Sequence, residues 1–143
     1  MPANSQTQLA ALLLRVALGA MFLAHAGLKV FVFTIPGTVQ FFESIGYPGF
    51  FAHLVILAEA LGGVALILGV QVRLVAAGLI PVLIGATIQH AGNGWMFASP
   101  NGGWEFPAFW TVALAVQALL GAGAFALRLP FLPEIGEPKS LAA

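Results

Sequence analysis

Six ionisable side chains, Arg15, His25, Lys29, Glu59, His90 and Glu105, lie within or at the ends of apolar runs long enough to cross a bilayer. An ionisable group at membrane depth must be paired, protonated or hydrated, so each marks a place where a protein binds, relays a proton or ties helices together. Arg15, His25 and Lys29 fall within about 80° of one another at 100° per residue and share one helix face, which should point into a bundle. If every run spans the membrane, His25 and Lys29 lie in its outer half, Glu59 sits near mid-depth, and His90 and Glu105 sit at outer helix ends. His25, Lys29, Glu59, His90 and Glu105 then converge as a candidate ligand pocket built from four helices, while Arg15 and Arg73 lie on the inner half.

Each residue also has a plainer reading. Arg15 and Lys29 could snorkel toward headgroups. Arg73 and Arg128 read as interfacial anchors and topology determinants. Glu105 could cap the helix that it begins, and His90 could be an interfacial residue. Glu59 is too deep to snorkel, and a partner such as Lys29, His25 or Arg15 is expected for it.

The elements that must position these groups follow from composition. With 60% hydrophobic and 7% charged residues and a mean hydropathy of +1.00, the 143-residue chain is more apolar than a soluble domain of this length could bury. The expected fold is all-α: a single integral membrane domain, 1–143, forming a four-transmembrane-helix bundle with spans at about 9–33, 51–70, 72–91 and 105–127. The first outer loop should hold a short interfacial helix around Thr38 to Ile45, introduced by Pro36-Gly37 and ended by Gly46-Tyr47-Pro48-Gly49. The Gly/Asn/Ser/Pro-rich stretch from Gly92 to Trp104 should be irregular. Pro130, Pro133 and Pro138 should keep the tail 128–143 out of the last helix and mobile. Ala20 and Ala24, Ala58 and Gly62, and Ala118 and Ala122 are spaced one turn apart and are the expected sites of close helix approach. Arg15, Arg73, Arg128 and Lys139 gather toward one side and only Lys29 toward the other. Both termini are therefore expected to be cytoplasmic. Met1 to Gln8 carries no Lys or Arg and the run after it contains Arg15, so the first helix should be retained rather than cleaved.

Several functions are excluded or disfavoured. There is no cysteine, which removes disulfides, thiolate metal sites and thiol redox chemistry. Net charge is zero and phosphate-loop, dinucleotide and nucleic-acid signatures are missing. No metal site is expected, because His25, Glu59, His90 and Glu105 lie on separate helices without a Glu-x-x-His pair.

The ordered segments RVALGAMF at 15–22, HAGLK at 25–29, FFESIG at 41–46, EALGG at 59–63 running to LGVQVR at 68–73, HAGNG at 90–94 and GGWEFP at 102–107 resemble the DoxX family of small four-helix bacterial membrane proteins. The resemblance covers roughly residues 15 to 127 and implies a multi-pass protein of the bacterial cytoplasmic (inner) membrane. It implies an association with membrane redox complexes: the family takes its name from a small subunit of a terminal quinol oxidase, and relatives are linked to thiosulfate:quinone oxidoreduction and to oxidative-stress complexes. The resemblance thus implies an accessory subunit of a membrane redox system, with no covalently bound cofactor and with quinone or quinol as the candidate ligand. His25 or His90 would then hydrogen-bond a quinone oxygen, Lys29 would polarise it, and Glu59 or Glu105 would pass a proton. The same groups would suit an anion or a thiol-derived small molecule. The expected partners are the lipid bilayer and other membrane or redox subunits, with a homo-oligomer left open. The alternatives are a non-enzymatic scaffold whose buried charges are structural ion pairs and, less favoured without inverted repeats, a small-solute transporter.

Overall fold

The computed structural model describes residues 3–136. Among them the chain is helical, with no strand and one isolated bridge between Leu129 and Leu132. Helix α1, Ala3–Gly27, runs on into a single π-helical turn, Leu28–Val32. Helix α2, Ile35–Ser44, is followed by α3, Phe50–Leu68, and α4, Val72–His90, which ends in a 3-10 turn, Ala91–Asn93. Helix α5 is Glu105–Leu120. By length and composition, Asn4–Val32, Phe50–Leu68 and Val72–Asn93 are each apolar enough to cross a membrane, whereas the apolar α5 is shorter. The outer faces of these helices are apolar, with Leu13, Leu61, Phe109 and Leu119 exposed, as a surface bathed in lipid requires. This is a helical membrane protein.

Local chemistry fixes the helix ends. Pro36 sits in the first turn of α2, where its missing N–H leaves no bond unmade, and the Thr34 hydroxyl caps that turn by accepting the Gly37 N–H at 3.2 Å. The short helix in the first loop therefore begins a few residues earlier than Pro36-Gly37 suggests from sequence. Gly69 ends α3 in the left-handed region, φ 81°, donating to Ala65 O at 2.8 Å. Gly121, φ 82°, ends α5 several residues before the sequence reading does.

Contact pairs give the topology. Along α1, Arg15 meets Leu66, Gly19 meets Gly63, and Lys29 meets Glu59, so α1 and α3 are antiparallel. Helices α4 and α5 form the second close pair, and contacts of α3 with α4 and of α1 with α5 close the ring. The core between them is Leu18, Phe22, Leu66, Val72, Leu79, Leu83, Trp110 and Leu114. The closest approach of α1 and α3 is glycine on glycine: a β-carbon on Gly19 would lie 2.7 Å from Gly63 O, and one on Gly63 would lie 2.9 Å from Gly19 O. Ala20 and Ala24, expected at an interface, are exposed instead. Gly62 does meet a neighbour, the Leu79 side chain of α4, within 2.8 Å of a β-carbon placed there.

One end of the bundle, the arginine end, is closed by hydrogen bonds to backbone. Arg15 does not snorkel; it is 1% exposed, and its guanidinium donates to Ala122 O at 2.8 Å, Ala124 O at 2.8 Å, Leu66 O at 3.0 Å and Ile67 O. The last two are carbonyls from the C-terminal turn of α3, where spare acceptor capacity and the negative end of the helix dipole favour a cation. Arg73 does the same for α5, donating to Ala118 O at 3.0 Å and Leu119 O at 2.9 Å. Gln117, fully buried, donates to Gly121 O at 2.8 Å and, across to α1, to Ala11 O at 3.3 Å. The segment after α5, expected to be mobile from residue 128, is tied down as far as it is described. Ala124 N–H bonds Gln8 O and Leu127 N–H bonds Leu68 O. Gln71 holds Pro133 O at 2.7 Å and the Ile135 N–H at 3.2 Å, while its own N–H meets Glu134 Oε1 at 2.9 Å. Pro138, Lys139 and the rest of the tail lie outside the described residues.

Candidate functional site

At the opposite end, the loop end, the π turn carries Lys29. Phe33 N–H reaches back five residues to Leu28 O at 3.0 Å, and the buried Thr38 hydroxyl of α2 lies 3.0 Å from Lys29 O and 2.9 Å from Thr34 O. This fixes the backbone from which the Lys29 side chain points back along α1 into the bundle. Its Nζ meets both carboxylate oxygens of Glu59, at 3.0 and 2.8 Å, in the middle of α3. The pair is largely dry, the Lys29 and Glu59 side chains being 18% and 5% exposed. Two-point contact of this kind is what keeps two charges stable away from water. Of the partners expected for Glu59, the structure supplies Lys29.

His25, one turn earlier, looks toward α5 instead. Its Nδ1 lies 2.9 Å from Met21 O, which can only accept, so Nδ1 carries the proton and neutral His25 has Nε2 as an acceptor. The ring stands edge-on to Trp110 with centroids 4.8 Å apart, and nearly parallel to Phe106 at 6.4 Å. Trp110 is 4% exposed and packs on Phe22 at 4.5 Å. Its indole N–H is buried without a hydrogen-bond partner. A buried unpaired donor is costly in a folded chain, and where one persists it calls for an acceptor. The signal was available in sequence: Trp110, Leu114 and Gln117 recur at helical spacing and mark the inward face of α5.

His90 and Glu105 brace the loop between α4 and α5. His90 Nδ1 bonds Ala86 O of its own helix at 2.7 Å, and its ring lies against Gly102. Glu105 opens α5, its carboxylate in the first turn beside the helix dipole, but its Oε1 accepts the Phe97 N–H of the loop at 3.0 Å, and its own N–H donates to Trp95 O at 3.0 Å. Gly103 fits because a β-carbon there would collide with the Met96 carbonyl. The five candidate residues thus form three groups at one end of the bundle: the Lys29–Glu59 pair between α1 and α3, His25 between α1 and α5, and the two loop braces. Phe106 links the last two groups, touching His25 on one side and Phe97 on the other at 5.5 Å.

The DoxX family model matches residues 10–92. The chain belongs to the DoxX family. The matched stretch runs from α1 through α4 and includes His25, Lys29, Glu59 and His90; it stops before the DoxX chain's Glu105 and α5. The Bacillus subtilis (strain 168) protein named "Putative oxidoreductase CatD" is 41% identical over 85 residues, which is 59% of this chain and 62% of that protein. The chain therefore aligns with about three fifths of the length of this curated relative. No solved structure matches.

Proposed function

We propose that this DoxX-family protein is an accessory subunit of a membrane redox system and offers a quinone or quinol headgroup a polar site between α1, α3 and α5. The unpartnered indole N–H of Trp110, edge-on to His25 among aromatic rings, is the observation that carries the reading. Trp110 would donate to a carbonyl or hydroxyl oxygen, and His25 Nε2 would accept a hydroxyl proton. The Lys29–Glu59 pair, one turn along α1, would keep a polarising charge and a proton acceptor close by. His90 and Glu105 would act by holding the loop over this end. A bound quinone would supply two-electron, two-proton chemistry; the chain has no thiol to supply redox chemistry of its own. The name of the Bacillus subtilis relative supports an oxidoreductase setting.

In this reading α5 also crosses the inner membrane. Its 16 residues give about 24 Å of helix, close to the hydrocarbon thickness of ~30 Å, with polar backbone at both ends. The arginine end faces the cytoplasm. Reporters fused after Gly136 and within Asn93 to Gly103 should read opposite sides, and the same side for both would refute four spans.

The functional test is gentle extraction followed by assay of retained quinone and redox subunits, with Trp110→Phe as the variant. Retained quinone that falls several-fold in Trp110→Phe, at unchanged thermal stability, supports the site. A second reading, a non-enzymatic scaffold, is favoured by the internal bonding of Arg15, Lys29 and Glu59. Retained subunits without quinone, and no effect of Trp110→Phe, would decide for it.

A further inference from the structure

The loop between α4 and α5 and the outer face of α5 border a shallow, open groove of about 660 Å³, beyond the stretch that the family model matches. Its walls are Trp95, Phe97, Trp104, Phe106 and Phe109, and its one charge is Glu105. No lysine, arginine or histidine lines it among the described residues. Because Glu105 Oε1 is taken by the Phe97 N–H, the carboxylate is held in place while Oε2 stays available to another donor or cation. Aromatic faces carry a negative quadrupole, so rings around a fixed carboxylate attract an organic cation and repel an anion.

The groove also has a direction. From Glu105 it runs along α5 past Ala108, Phe109 and Val112, of which Phe109 and Val112 face outward on the apolar surface. A ligand filling it needs a cationic head and an apolar body. A zwitterionic phospholipid has that outline, but it would bring a phosphate among walls that hold no basic side chain to meet it. We propose that this groove binds a phosphate-free cationic amphiphile, its charge against Glu105 and the indole faces of Trp95 and Trp104, its body along Phe109 and Val112.

The test uses the full chain in a non-ionic detergent and two ions of one shape and opposite charge, tetraphenylphosphonium and tetraphenylborate. Binding is read from quenching of tryptophan fluorescence. The proposal expects saturable quenching by the phosphonium only, weakened about tenfold in Glu105→Gln, which keeps an oxygen for the Phe97 N–H and removes the charge. Phe109→Ala, on the exposed wall away from the loop, should weaken it too and guards against a folding defect in the first variant. Equal binding of the two ions, or undiminished binding in both variants, would reduce the rings to an interfacial belt and overturn the proposal. Displacement of the phosphonium by phosphatidylethanolamine in nanodiscs, but not by phosphatidylglycerol, would assign the groove to a lipid headgroup and overturn it as well.

Discussion

Removing one member of the Lys29–Glu59 pair should do more harm than removing both. The two Nζ–carboxylate distances, 2.8 and 3.0 Å, and the 5% exposure of the Glu59 side chain describe charges that water hardly reaches. Glu59→Gln leaves the ammonium without a counter-charge, and Lys29→Met strands the carboxylate; breaking a buried pair in this way costs about 3–5 kcal/mol. Lys29 is 18% exposed and recovers some hydration, so its stranding should cost near the lower figure, about 3 kcal/mol. Glu59, deeper and mid-helix, should cost nearer the upper one when left alone. The double variant Lys29→Met with Glu59→Gln leaves no charge behind and should fall within about 1.5 kcal/mol of the parent. Unfolding of the detergent-solubilised protein by titration with a denaturing detergent, followed by helical circular dichroism, yields all the corners of the cycle. Single and double effects that add within about 0.5 kcal/mol would show that the charges do not depend on one another, and the reasoning would be refuted.

Arg15→Met should destabilise by at least about 3 kcal/mol in the same titration, since several buried carbonyls, each costing about 1–3 kcal/mol when unpaired, lose their donor together. Arg15→Lys, which has one donor centre instead of three, should fall between. Gly19→Ala should cost about 1–3 kcal/mol because its β-carbon meets the backbone oxygen of Gly63, while Ala20→Val on the exposed face should leave the melting temperature nearly unchanged.

Much of this architecture is legible in sequence because lipid imposes it. A membrane helix must be an unbroken apolar run, so the helices carrying Arg15, Glu59 and His90 are visible as such, and the depth of Glu59 already demands a partner. The wheel places Arg15, His25 and Lys29 on one face, but the structure divides that face: Arg15 and Lys29 meet α3, and His25 meets Trp110 on α5. A difference of about 40° separates the two seams, and composition cannot say which neighbour fills each. The partners of Arg15 are invisible for another reason. They are main-chain carbonyls of Leu66, Ile67, Ala122 and Ala124, and a carbonyl has no letter in a sequence. Small residues mislead for a similar reason, since Ala20 and Gly19 are one position apart and only their orientation decides which lies between helices. The tail reads as mobile from its prolines, yet as far as it is described a glutamine far upstream, Gln71, holds it at Pro133, Glu134 and Ile135.

The Arg15 contacts also set an order of events during synthesis. Arg15 leaves the ribosome ahead of two of its acceptors, Ala122 and Ala124, which follow it by 107 and 109 residues. Until those residues emerge, the guanidinium must be satisfied by water, lipid phosphate or the insertion machinery, and α1 cannot settle to its final depth. Emergence of the segment after α5 then acts as a latch, releasing α1 from its provisional hosts. A nascent chain arrested before Ala122 should therefore remain within reach of the translocon, while one extended well past Ala124 departs as a closed bundle.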